Sequence, residues 1–478
     1  MPLMLASALA LADTPHDGSL PPVGRSLDWT PHAHALPQRP APNQRANTYT
    51  QLRSTTDRPS VTVYGYWPTW SDPLSTMPWD QLTHVAIFSV NMDSSGNLTS
   101  TGNWTANATT AMNLAGPHGV KVHLCLTSFT DATTNSVLSS AANRSRLVTN
   151  LKNQVNAYGA DGVNIDFEGL DVAQKANFVT FLQELAAQVD EVYVAMPAVD
   201  WNGSYDYDQI ALATNGLFVM GYDYYYSGGN PGPVSPLYGS ARWGTYSLDW
   251  TLTDYRTWGA PDTSVVMGLP LYGQNWPTTN NTVPGTKTAN ASSVTFGQAT
   301  IDYTNYTRHY DAYGDSPYAF RTATSQEWVD DAESVELKAD WAVSENIQGI
   351  GFWAMGYDDA DVDLWSRLDT ISHQDGMQVT VSPGVAGQRN TFTVTNGPAN
   401  RSIRLSYGSS TSGTTAIAGC QNSLQIQSAT QFASGTTDGT GRATFQVNVP
   451  ANYSGVTGRI QAYIPSNCQV SSVLIDRF

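Results

Sequence analysis

The spacing of apolar positions divides the chain into three textures. A non-periodic start gives way to a middle of short apolar runs alternating with helix-spaced segments, and the end consists of strictly alternating runs. The middle holds strand-like runs at 61–66, 84–88, 121–126, 163–168, 192–196, 217–220, 265–269 and 349–354. Between them, Leu147, Val148, Leu151 and Val155 keep helical spacing up to a capping Gly159, and Phe178, Phe181, Leu182 and Leu185 line one face of another helix. Short, nearly continuous strands separated by helices predict a closed (β/α)8 TIM barrel over residues 59–373. An open doubly wound sheet would carry a glycine-rich phosphate turn after an early strand, and none is visible.

The connection between the seventh and eighth runs, 285–321, is longer than ordinary loops. Its alternation of Val294, Phe296, Ile301, Tyr303 and Tyr306 suits either a small inserted β element walling a cleft or a long surface loop. In 376–478 the runs 377–381, 391–395, 403–407, 443–449, 459–464 and 472–475 alternate at period two, with turns such as Thr437-Asp438-Gly439-Thr440-Gly441 between them. The expected architecture is therefore α/β: a (β/α)8 barrel with a small insertion between strands 7 and 8, followed by an all-β sandwich. Tyr407 and Tyr453 could let that sandwich bind carbohydrate; a spacer or surface-attachment module is the alternative.

The ends and the composition narrow the setting. Residues 1–12 are apolar and close on Ala10-Leu11-Ala12, like the core and cleavage site of a signal peptide, although a positive leading segment is lacking. Residues 13–58 read as a flexible leader. The expectation is a secreted, extracellular protein, or one of the periplasm or cell surface, with no membrane span. A charge of −17, with 23 Lys+Arg, argues against nucleic acid or anionic membrane as partner; a monomer is expected. Cys420 and Cys468 share the sandwich region and form either a disulfide or two buried thiols, whereas Cys125 has no His or Cys at metal-ligand spacing. No metal and no cofactor are expected.

The fourth run carries the candidate chemistry. In a strand over 163–168, Val163, Ile165 and Phe167 face one way and Asn164, Asp166 and Glu168 the other. Close carboxyls push their pKa values apart, which makes one a candidate proton donor, although an exposed polar strand face gives the same alternation. If the barrel forms, the C-terminal strand ends gather Tyr66-Trp67, Ser89, Asn91, Thr127-Ser128, Met196, Tyr222-Asp223 and Trp353 to Asp358 on one rim. Acids and rings together suit a sugar cleft.

Over about residues 60–370 these residues resemble glycoside hydrolase family 18, the chitinase family. Asp161-x-x-Asn164-x-Asp166-x-Glu168 resembles its acidic strand, Met220-Gly-Tyr-Asp223 its sixth-strand motif, and Gly268-Leu-Pro-Leu-Tyr-Gly273 and Gly351-Phe-Trp353-Ala-Met its seventh- and eighth-strand signatures. The resemblance implies Glu168 as general acid and base, with Asp166 hydrogen-bonding Glu168 and then orienting the substrate's N-acetyl group. Tyr222 and Asp223 would hold that group, and Trp353 would floor the subsite, with Asn164, Met220, Tyr66 and Phe88 also binding substrate. It implies retaining, substrate-assisted cleavage of β-1,4 bonds in N-acetylglucosamine polymers such as chitin. Two positions depart from the pattern. Asn164 replaces the first inner Asp, and the third strand ends Cys125-Leu-Thr-Ser128-Phe129 without the usual Ser-x-Gly-Gly. Both resemble the spore-cortex and peptidoglycan N-acetylglucosaminidase branch. A glycan-releasing endoglycosidase and a catalytically silent lectin of the same fold are further alternatives.

Overall fold

Each of the eight apolar runs is a strand. In the computed structural model, which describes residues 61–345, 347–372, 377–397, 400–408, 410, 414–417, 423–466, 469–471 and 473–478, they are β1 (Thr62–Pro68), β2 (His84–Met92), β3 (Lys121–Ser128), β4 (Gly162–Phe167), β5 (Glu191–Pro197), β6 (Gly216–Met220), β7 (Val265–Pro270) and β8 (Gly349–Trp353). Every strand pairs in parallel with the next, and β8 returns to β1 with Tyr66 opposite Trp353, which closes the barrel. The signal-like segment, the leader, Cys420 and Cys468 lie outside the described residues.

Contacts divide the chain into two compact units. The first holds 62–331 and 348–361, and thus the barrel strands and the insertion. The second holds 332–347 and 362–478.

In the first unit the helix Ala141–Tyr158 buries Leu147, Val148, Leu151 and Val155, starts at Ser140, whose side chain accepts from the Asn143 N–H, and ends at Gly159 with φ 66°. Positive φ is what a left-handed cap asks of glycine. The long connection is a five-stranded antiparallel sheet, in the order Ser292–Thr295, Tyr272–Pro277, Ser325–Trp328, Ser316–Thr322, Arg308–Asp311. It starts earlier and ends later than the sequence pattern suggests. Phe296, Ile301 and Tyr303 lie on a helix, Phe296–Asn305, rather than on strands. Thr295 caps that helix by accepting from the Gln298 N–H, Phe296 and Ala299 are buried at helical spacing, and Ile301 is exposed. The helical period therefore outweighs the apparent alternation.

In the second unit the helices Ala332–Ser344 and Val362–Ser372 pack on each other, joined by an Arg367 to Glu336 ion pair of 2.6 Å. Two antiparallel sheets follow, one of Gln378–Ser382, Arg389–Thr395 and Ala443–Asn448, the other built around Ser402–Gly408 and Thr457–Ile464. Both sheets contribute to one core of Val379, Phe392, Val394, Ile403, Leu405, Ile460, Ala462 and Ile464. The strand Thr430–Thr436 escaped the sequence pattern because Thr430-Gln-Phe-Ala-Ser-Gly-Thr436 carries little apolar alternation. Tyr407 and Tyr453 pack against this core with their hydroxyls 3.4 Å apart and their rings nearly perpendicular.

The barrel interior is filled by rings. Phe218 of β6 lies 4.7 Å from Tyr66 and 5.7 Å from Tyr64, centroid to centroid. Room for it comes from two glycines: a Cβ on Gly268 or Gly351 would stand 2.5 or 2.3 Å from the Phe218 ring. Gly351→Ala should therefore overpack the layer and cost about 1–3 kcal/mol. Phe218→Ala should leave a cavity and cost about 3–5 kcal/mol. Urea denaturation of both variants checks this, and unchanged midpoints would refute the packing argument.

Candidate active site

The alternation of β4 divides its side chains between helix layer and barrel interior. Phe167 lies 5.8 Å from both Phe178 and Phe181 on the helix Lys175–Ala186. Asn164 and Asp166 point inward, the first with no exposure and the second 4% exposed. Glu168 follows the strand end, where its N–H donates to the Ser128 carbonyl at 3.1 Å. At the other end, Asp161 Oδ2 accepts from the Val122 N–H at 2.8 Å, tying the start of β4 to β3. Cys125, opposite Asn164 in the β3–β4 register, lies with Sγ 3.5 Å from the Asn164 Oδ1.

Beyond β6, Asp223 takes a left-handed conformation with φ 58°, one that Asp tolerates better than most residues. Its Oδ1 accepts from the Tyr272 hydroxyl at 2.7 Å. Burial raises the Asp223 carboxyl to about 6, and the Tyr272 hydrogen bond works against that rise by favouring the anion. Burial also raises both Asp166 and Glu168. For Glu168 the neighbouring charges of Asp166 and Asp223 add to the rise. Tyr222 is half-buried beside all three acids, and burial and their charges push its pKa further up, so it remains a hydroxyl donor. The mouth thus holds three carboxyls that resist simultaneous ionisation.

Rings wall this mouth. Trp353 meets Phe88 edge-on at 4.8 Å and Tyr66 at 5.8 Å. Met220, Tyr222 and Phe129 pack on the same cluster. Tyr272, Trp276 and Trp328 from the inserted sheet pack with Tyr222 and Trp353, so the insertion does wall the site. Outside, Trp70 is 59% exposed, stands edge-on to Phe88 at 5.8 Å and donates from Nε1 to the Tyr357 hydroxyl at 3.0 Å. Eight of the nine residues singled out in the sequence therefore converge on one end of the barrel: Glu168, Asp166, Tyr222, Asp223, Trp353, Met220, Tyr66 and Phe88; Asn164 lies deeper, level with Cys125 and Tyr193.

Three buried polar atoms in this place, Tyr66 OH, Asn164 Nδ2 and Asp166 Oδ1, have no hydrogen-bond partner among the described residues. Buried polar atoms are usually paired, so Tyr66 OH and Asp166 Oδ1 are the atoms open to a ligand, whereas Asn164 lies deeper, toward the Tyr64 hydroxyl. Asn164 Nδ2 makes no bond to Asp166, and the amide oxygen is turned to the Cys125 Sγ. Two tyrosines escaped the sequence reading. Tyr272 sits inside the quoted seventh-strand signature, and Tyr205 donates to the Phe167 carbonyl at 2.7 Å, close enough to feel the charges of Glu168 and Asp166. Only tertiary placement identifies Tyr205.

Residues 62–358 match the family Glycosyl hydrolases family 18. The chain belongs to this family. A family 18 chitinase of Cycas revoluta, solved in complex with (GlcNAc)4, shares the fold at a TM-score of 0.59 and 19% identity, covering 64% of this chain and 98% of that one. The cortical fragment-lytic enzyme of Bacillus subtilis (strain 168) is 26% identical over 246 residues, 48% of this chain and 54% of that protein. Mouse (Mus musculus) chitotriosidase-1 is 26% identical over 262 residues, 47% of this chain and 55% of that protein. The chain thus spans little more than half the length of either family 18 relative.

The Tyr272 hydrogen bond is directly testable. Removing a bond to the ionised form raises a carboxyl's pKa, so Tyr272→Phe should move Asp223 upward from about 6. Carboxyl-carbon NMR titration measures this. A value unchanged or lowered would refute the assignment of Tyr272 as the group that holds the anion.

Proposed function

We propose that this protein is an exported retaining glycoside hydrolase that cleaves β-1,4 bonds of N-acetylglucosamine polymers, chitin and its oligomers, by substrate-assisted catalysis. The observation that carries the reading is Glu168 at the barrel mouth, its carboxyl pKa raised by burial and by the charges of Asp166 and Asp223, which favours the protonated form. In this reading Glu168 gives its proton to the glycosidic oxygen as the bond to the anomeric carbon breaks. The substrate's acetamido oxygen takes the vacated position and forms an oxazolinium ring. Water then opens the ring, with the Glu168 carboxylate taking its proton, so the configuration is retained. Asp166 Oδ1 and Tyr66 OH, both buried and unpartnered, supply polar atoms for the acetamido group and the cationic ring. Trp353 supplies an apolar floor for the sugar, and Tyr222 with Asp223 positions the acetamide.

The acid's raised pKa sets the sign of the pH dependence. Glu168 is competent while protonated, so activity is lost as pH rises through its pKa, above the ordinary carboxylate range. Peptidoglycan is the second reading. The likeness to a cortical fragment-lytic enzyme favours it, as does Asn164 in place of a carboxylate. A glycan-releasing endoglycosidase with the same chemistry is a third reading, and a sugar-binding lectin without catalysis is less favoured, since Glu168, Asp166 and Tyr222 are all present.

Glu168→Gln should lower kcat by at least about 10²-fold while leaving folding and oligosaccharide binding intact. Full activity in that variant would refute the mechanism. Mass analysis of products from chitin oligomers and from purified peptidoglycan separates the two substrates; release from neither favours the lectin. Export is proposed from residues 1–12, and with it a Cys420–Cys468 disulfide. Thiol titration of the denatured, unreduced protein should then find one free cysteine, whereas three would exclude the bridge.

A further inference from the structure

At the opposite end of the barrel from the acids, three strands bring together two imidazoles and a carboxylate. His84 opens β2, His123 lies near the start of β3, and Glu191 opens β5. His84 Nε2 and His123 Nε2 stand 3.1 and 3.2 Å from the same oxygen, Glu191 Oε2. We propose that His84, His123 and Glu191 form a binding site for a first-row divalent cation of the Zn²⁺ class.

The geometry suits such an ion. Bonds of about 2.0–2.1 Å to a common centre hold neighbouring ligand atoms roughly 3.0–3.5 Å apart; both nitrogen–oxygen pairs have that spacing, and all three ligand atoms lie within 4.8 Å of one another. Two nitrogens and one carboxylate oxygen form a set that zinc accepts, with a further position left for water. Each ring is oriented from behind, as ligating histidines are. His84 Nδ1 lies 2.8 Å from Thr83 Oγ1, and His123 Nδ1 lies 3.0 Å from the Tyr64 hydroxyl. Lys121 pairs with the other carboxylate oxygen, Oε1, and so leaves Oε2 to the imidazole side. Asp161 lies near enough to act on both Lys121 and His84, which offsets the lysine's charge.

The space between the ligands is also built in. Gly162 of β4 sits in register between His123 and Glu191, and a Cβ there would fall 2.4 Å from the Glu191 carbonyl oxygen. A side chain at this inward position would push Glu191 away from His123. The ion would clamp β2, β3 and β5 at the end of the barrel that bears on stability rather than chemistry. It takes no part in bond cleavage and is independent of the reading given to Glu168.

A metal-free arrangement in which the two Nε2–H groups donate to Glu191 is the competing outcome. The test is Co²⁺ titration of the chelator-treated full chain, followed by visible absorption, with Zn²⁺ competition and thermal melting. The expected result is one saturable site with d–d bands of a four- or five-coordinate ion, displacement by Zn²⁺, and a melting temperature raised by several degrees. Glu191→Gln and His123→Gln should each weaken Co²⁺ binding at least ten-fold and abolish the thermal shift, whereas His32→Gln/His34→Gln in the leader should change neither. Absence of saturable binding to the wild-type chain overturns the site without recourse to any variant. Binding that survives Glu191→Gln unchanged, or is lost with the leader pair, overturns it equally.

Discussion

The molecule's central constraint is closure. Once β8 pairs with β1, with Tyr66 beside Trp353, the barrel has no free edge, and inward side chains must share one narrow interior. Those side chains stack in tiers. His84, His123 and Glu191 lie at the bottom, Tyr64, Tyr193 and Phe218 come next, and Tyr66, Asp166 and Trp353 lie toward the mouth. The middle tier is a wall of rings from which water is excluded. Polar groups lie above and below it, the acids at the mouth and the two imidazoles with Glu191 at the foot, where the Tyr64 hydroxyl meets His123 Nδ1 at 3.0 Å.

Excluding water also charges the mouth with a cost. Three carboxyls that would each ionise readily in water lie close together, Asp166 buried and Glu168 and Asp223 half-buried, and loss of solvent favours their neutral forms. For Asp223 the sign is definite. Its folded pKa, about 6, exceeds the ordinary 3.8, so the folded state binds the extra proton. That contribution to stability is present below 3.8 and is lost as pH rises through about 6. The same raised affinity for protons that would serve a proton donor thus makes the folded protein less secure toward alkaline pH. The Tyr272 hydroxyl and the surrounding rings limit that loss, the hydroxyl by stabilising one anion and the rings by their own burial.

Much of this was legible in the residues before any coordinates. Each barrel strand announced itself as a short apolar run, since a strand buried on both faces needs no polar alternation. β4 was the exception, and its inward Asn164 and Asp166 stood out for that reason. What stayed hidden depends on distance along the chain. Tyr272 and Tyr205 reach the acids from other elements, and the His84–His123–Glu191 grouping spans more than a hundred residues without any local ligand spacing. The helix Phe296–Asn305 was misread because Phe296, Ile301 and Tyr303 fit a loose alternation, while the deciding information, a Thr295 cap and burial of Ala299, is tertiary or backbone in kind. The turn of the Asn164 amide oxygen toward Cys125 could not be read from residue type.

The carboxylate of Asp161, holding the Val122 N–H at the foot of β4, has a consequence for how the chain finds its fold. A strand with period two can pair with its neighbour one residue out of step at little backbone cost, and such a slip would turn Val163, Ile165 and Phe167 inward while Asn164 and Asp166 faced the helices. A side-chain acceptor that engages one backbone donor and not its neighbour breaks that degeneracy at the first residue of the pairing. Asp161 thereby acts as an index mark. It sets the phase of β4, and the height at which Asp166 and Glu168 emerge is counted from it.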